Sequence, residues 1–125
     1  MYCEYNLNPS GKRVGDCVIR AIARATGRSW AETYTGLCAA GLELCDMPSA
    51  NAVWGAYLRR HGFRRHILPD TCPDCYTVED FCREHPEGLY VLAISGHVVC
   101  VDNGDWYDSW DSGRETPVYY WQKEE

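Results

Sequence analysis

Asn103 and Gly104 sit between two strand-like runs, and they constrain this chain more than any other pair of residues. Asn-Gly favours a two-residue β-hairpin, because a type I′ turn needs positive φ at both central positions and these two residues tolerate it. His97 to Val101 therefore returns antiparallel as Asp105 to Trp110. With Asn103 and Gly104 in the loop, Asp102 pairs with Asp105, Val101 with Trp106, Val99 with Asp108, and His97 with Trp110. Side chains alternate between faces, so His97, Val99 and Val101 share one with Trp106, Asp108 and Trp110, while Ser109 and Asp111 point away. His97 and Asp108 become diagonal neighbours, about 7–8 Å apart at Cα and closer at their tips.

Leu89 to Ile94 is a further apolar run of strand length, set off from His97 by Ser95-Gly96, and Val118 to Trp121 reads as a last strand. Upstream the period is helical. Gly15 and Asp16 read as a turn and a helix cap, with Val18, Ile19, Ala21, Ile22, Ala23 and Ala25 on an apolar face in the run Val18 to Gly27. Ser29 and Glu32 form a capping box for a second helix, with Trp30, Tyr34, Leu37 and Cys38 as its buried face and Gly41 as its end. Ser49 caps a third helix, in which Val53, Trp54, Tyr57 and Leu58 face the core and which Gly62 stops. Phe63 to Asp70 holds a short strand. Thr77, with Asp80 three residues on, starts a fourth helix whose core side carries Val78, Phe81, Cys82 and His85. Residues 1 to 14 read as an extended arm ending in a turn. Helices come first and a small antiparallel sheet second, an α+β arrangement in a single domain over residues 1–125.

With 125 residues and 46% hydrophobic content, such a domain buries a core without disulfides. The start of the chain shows no basic segment followed by an apolar run, and no stretch reaches eighteen apolar residues, so the expectation is a cytoplasmic protein with no membrane partner. The eight cysteines are then expected to be reduced. A net charge of −6 argues against a nucleic-acid partner, and the basic run Arg59 to His66 suits the end of the third helix, where cations meet the negative end of its dipole. Cys72, Cys75, Cys82 and His85 offer four soft ligands for a structural zinc, although the six-residue gap is short and two of the four ride on a core-facing helix.

Cys17 falls in the first turn of the first helix, where the dipole and unpaired N–H groups favour thiolate over thiol. Cys17, Arg20, Arg24 and Arg28 recur three or four apart and make a polar stripe beside the apolar one. A thiol at a helix start, an imidazole opening a strand and a carboxylate diagonal to it are the components of a thiol-based site. Cys17 attacks, His97 takes or shares its proton, and Asp108 fixes the imidazole. Trp110 shields the His97–Asp108 contact.

A helix-start Cys17 early in the chain, Gly96-His97 opening a late strand and Asp108-Ser109-Trp110 on the next resemble the papain-like cysteine peptidase superfamily, which carries Asn-Ser-Trp or Asp-Ser-Trp at the last position. The resemblance covers nearly the whole chain. It implies a papain-like fold, with the helical half packed on the sheet, and a cysteine peptidase, amidase or isopeptidase that acts on a peptide or protein substrate without a cofactor. Cys17 would be the nucleophile, His97 the base and acid, and Asp108 the orienting residue. The family's glutamine before the cysteine is missing; Asn8, with Asn6 second, is the substitute oxyanion donor. The competing reading is a catalytically silent peptide-binding module of the same fold, with or without the zinc.

Overall fold

The computed structural model describes residues 1–69, 71 and 74–124. Among them the order of elements is β1 (Tyr2–Glu4), α1 (Cys17–Thr26), α2 (Trp30–Leu44), α3 (Asn51–Arg60), β2 (Phe63–Ile67), α4 (Val78–Glu84), β3 (Leu89–Ile94), β4 (His97–Asp102), β5 (Asp105–Asp108) and β6 (Pro117–Lys123). The strands form one six-stranded sheet in the order β1-β5-β4-β3-β6-β2. The architecture is α+β. None of the described helices is long and apolar enough to cross a membrane.

Strand alternation divides the core in two. Val91 and Ala93 of β3 and Val98 and Cys100 of β4 pack with Ile22 of α1, Leu37 of α2 and Trp54 and Leu58 of α3. The intervening Tyr90, Leu92, Val99 and Val101 face the other way and close on Val78, Phe81 and Cys82 of α4. Three helices therefore cover one face and the short α4 covers the other, which explains why the central strands are apolar at consecutive positions. The capping boxes form as expected, Ser29 with Glu32 and Thr77 with Asp80.

Several expectations need correction. The sheet is neither confined to the C-terminal half nor wholly antiparallel. Residues 2–4 of the arm pair parallel with β5, and β2 closes the far edge against β6. A three-residue edge strand has too few residues to show a period of its own, so only its partner reveals it. Gly41 does not end α2; the helix runs to Leu44, and Cys45 takes the left-handed cap at φ 55°. Gly41 is there for space, since a Cβ on it would stand 2.7 Å from the Asp46 carbonyl oxygen. Tyr34 is exposed and stacks on Trp30, and Thr33 takes the buried position instead. Ala50, not Ser49, is the N-cap of α3. The short strand ends at Ile67, and Asp70 lies outside the described residues.

The hairpin forms in the expected register, with Asp102 opposite Asp105 and Val101 opposite Trp106. Asn103 and Gly104 take φ 49° and 81°, but β5 stops at Asp108, short of Trp110. Gly104→Ala should destabilise the fold by about 1–2 kcal/mol, because an L-residue is strained at this φ. Urea unfolding with an unchanged m-value checks it, and an unaltered midpoint would mean that the turn relaxes freely.

Candidate active site

The polar stripe on α1 lies against β4 and β5, and each of its members except Arg28 finds a partner there. Arg24 donates to Asp102 Oδ2 at 2.9 Å and its guanidinium sits 4.2 Å above the Tyr107 ring. One turn earlier, Arg20 donates from Nη2 to Asp108 Oδ1 at 2.9 Å and from Nη1 to Asp16 Oδ1 at 2.6 Å. A further turn back, the Cys17 thiol lies beside the His97 side chain and the backbone N–H of Val98, both near enough to act on its charge. His97 uses Nε2 to bond Asp108 Oδ2 at 2.6 Å, which leaves Nδ1 for the thiol. Cys17, His97 and Asp108 are thus brought together, the imidazole bonded to the carboxylate and set beside the thiol.

Asp108 is fully buried, and four donors converge on its two oxygens. Arg20 and the Ser109 N–H meet Oδ1, while His97 and the Ser112 hydroxyl meet Oδ2. Burial alone would push the carboxyl up, but the bonds from His97, Ser112 and Ser109 reverse this and hold it below the usual carboxylate range. Burial would likewise pull the imidazole down, yet the Asp108 and Cys17 partners push His97 up to about 9. Burial raises the Cys17 thiol too; the His97 hydrogen bond and charge, the Val98 N–H and Arg20 outweigh it, so the thiol lies below its ordinary value. The combination favours a thiolate–imidazolium pair. The Trp110 ring, 4.8 Å from the imidazole, covers one face of it although Trp110 itself is exposed.

Asp16 corrects the sequence reading. It occupies the N-cap position of α1 but gives the helix no side-chain hydrogen bond. Its carboxylate is engaged instead by Arg20 and by Trp30 Nε1 at 2.9 Å. The first-turn N–H groups around Cys17 are therefore left without a side-chain cap, facing whatever approaches the thiol.

Cys17 and His97 stand on opposite walls of a cleft of about 460 Å³. Gly15, Val18, Ser49, Asn51 and Trp54 continue the helical wall, and the 93–98 segment with Val118 and Tyr119 forms the sheet wall. Asn8 does not line this cleft, and neither does Asn6. Asn8 Oδ1 accepts from the Ser10 N–H, Asn6 Oδ1 accepts from the Asn8 N–H, and Asn6 Nδ2 donates to the Lys12 carbonyl. Both asparagines build the arm's turns, which their short side chains favour. The side-chain amide on the cleft wall belongs to Asn51, whose Oδ1 accepts from Trp54 Nε1 at 3.1 Å. Its place three residues before Trp54 at a helix start was the available signal.

Of the zinc candidates, Cys72 lies outside the described residues. Cys82 is buried and desolvation pushes its thiol up to about 12, while His85 stacks on Phe81 at 3.9 Å and bonds the Phe81 carbonyl. Among the described residues no three His, Cys, Asp or Glu side chains are grouped to hold a metal. Compared with protein-family models, curated proteins and solved structures, the chain matches none.

Arg20 is the residue whose role the sequence left open. Arg20→Met keeps its length but strands the Asp16 and Asp108 carboxylates in the interior, and should destabilise the protein by about 3–5 kcal/mol. Denaturant unfolding of the variant measures this. A loss within the scatter of surface substitutions would remove Arg20 from the support of Asp108.

Proposed function

We propose that the protein is a thiol-dependent hydrolase that cleaves an amide, peptide or isopeptide bond through an acyl-enzyme on Cys17. The observation that carries this reading is that Cys17 shares a cleft open to solvent with His97, whose imidazole is bonded to the buried Asp108. Order along the chain and the roles of the three groups resemble the papain-like cysteine peptidases.

In the reaction, the Cys17 thiolate attacks the carbonyl carbon and its electron pair becomes the new S–C bond. The carbonyl oxygen takes up negative charge beside the uncapped N–H groups at the start of α1, with Cys17 N–H nearest the reacting sulfur. His97, protonated in the resting pair, delivers its proton to the leaving nitrogen as the C–N bond breaks. Water then attacks the thioester, His97 accepts its proton, and the S–C bond breaks to release the acid and restore the thiolate. Asp108 keeps Nε2 occupied, so that Nδ1 faces the sulfur and the leaving group throughout.

Alkylation of the reduced protein across a pH series, with each cysteine quantified by peptide mapping, tests the pair directly. Cys17 should react well below the pH at which an ordinary thiol does, near 8.5, and lose this advantage in His97→Ala. A Cys17 that reacts at no lower pH than the exposed Cys45 would sink the enzyme reading in favour of a silent peptide-binding module. Turnover should vanish in Cys17→Ala and fall about 10²–10⁴-fold in His97→Ala.

The pH profile of kcat/KM should be bell-shaped. Its acidic limb rises as Cys17 ionises, below the ordinary thiol value, and its alkaline limb falls as His97 loses its proton near pH 9. Asp108 raises the imidazole, so Asp108→Asn should move the alkaline limb down toward 6.5 while weakening turnover less than loss of Cys17. An unmoved alkaline limb would detach Asp108 from the histidine it bonds.

A further inference from the structure

The cleft at Cys17 does not end at Tyr119. A second groove, of about 410 Å³, runs between α3 and β6 and shares Asn51 and Tyr119 with the first; Gly55, Trp121, Arg59 and Arg65 line it further on. The two stretches share an aromatic floor. Trp54 and Tyr119 stack with centroids 6.1 Å apart and planes within 9° of parallel, and Trp54 meets Trp121 edge to face at 6.4 Å. The guanidinium of Arg65 lies 4.1 Å above the Tyr119 ring and that of Arg59 lies 5.3 Å from the Trp121 ring. Each arginine is thereby held against a ring and not by a carboxylate, which leaves N–H groups for an acceptor.

These two cations differ from most arginines of the chain. Arg13, Arg20, Arg24, Arg60, Arg64 and Arg83 are each tied to an aspartate or glutamate. Among the described residues neither Arg59 nor Arg65 has a carboxylate within salt-bridge distance, in a protein whose net charge of −6 leaves carboxylates in excess. Glu124, which lines the neighbouring surface groove with them, pairs with Arg64 at 3.4 Å.

We infer that the groove takes the part of a substrate that carries a carboxylate a few residues from the bond Cys17 attacks, and that Arg65, with Arg59 behind it, selects for that carboxylate. This deepens the hydrolase reading and rests on it. The apolar and aromatic walls hold an extended segment by its side chains, and the guanidinium edges supply the charge-assisted, two-pronged hydrogen bonds that a carboxylate matches. A glutamate or aspartate side chain and a free terminal carboxylate present the same group.

The test uses acetylated, amidated octapeptides of Gly and Ala in which one Glu is stepped along the sequence, each with its Gln counterpart, and one acetylated octapeptide without Glu whose C-terminal carboxylate is free. Binding is measured by calorimetry on Cys17→Ala protein, and protection of Cys17 from iodoacetamide is measured on wild type. Glu at one preferred position should bind about tenfold tighter than Gln and slow alkylation of Cys17, and Arg59→Gln/Arg65→Gln should abolish both differences. If only the free C-terminus gives the advantage, the terminal carboxylate is the source recognised. Equal binding of all the peptides, or an advantage that survives in the double variant, overturns the inference. The hydrolase reading fails separately, through an unactivated Cys17 in the peptide-free alkylation series, which the Cys17→Ala titrations do not involve.

Discussion

The carboxylate of Asp108 is buried completely, and a buried charge is tolerated only when its surroundings supply compensating charge and hydrogen bonds. Here that compensation comes from both halves of the chain. Arg20 reaches it from the first helix, His97 from the strand before the hairpin, and Ser109 and Ser112 from the segment after it. Without the carboxylate Arg20 would lose one of its two buried acidic partners and His97 the acceptor of its Nε2 proton. The helix and the hairpin are therefore locked in one relative position, and that position sets Cys17 against His97. Docking the helical layer on the sheet and assembling the thiol site are the same physical event.

Asp16 shows how the lock and the chemistry share residues. A side-chain cap at a helix start is typically worth about 1 kcal/mol, and Asp16 stands where it would supply one. It instead completes the carboxylate–guanidinium–carboxylate arrangement around Arg20, with Trp30 closing its second oxygen. The helix start is left uncapped beside a thiol that gains from the unpaired N–H groups. Local stability of this helix start is given up to the ion-pair network that fixes Asp108.

The parts of this structure that were legible in the sequence are those fixed by short-range rules. Asn103-Gly104 set the register, and the register alone placed His97 diagonal to Asp108. Ser29 with Glu32 and Thr77 with Asp80 declared two helix starts. The stripe of Cys17, Arg20 and Arg24 was visible as a spacing, but nothing in a spacing says that the partner of Arg20 lies 88 residues away. The same gap explains Asn8. Proximity along the chain to Cys17 suggested a role at the thiol, whereas Asn8 is not among the residues lining the cleft and its amide oxygen shapes the arm's turn. Strand β1 was illegible for a related reason, since three edge residues carry no pattern until β5 is there to pair with them.

The basic run Arg59 to His66 makes the converse point. Read as sequence, it is a cluster of cations at the end of a helix, suited to the dipole and otherwise solvated. In the fold its members separate by partner. Arg60 and Arg64 go to carboxylates, His61 bonds the Tyr57 carbonyl, and His66 stacks on Tyr120. Arg59 and Arg65 go to the aromatic rings of β6 at the groove. A ring attracts a guanidinium through its face yet neutralises none of its charge, so positive potential persists there while salt bridges extinguish it elsewhere. On a surface of net negative charge, such a place draws an anion by local attraction against the general field. The aromatic strand that floors the cleft thus also determines where positive charge remains available to an anion.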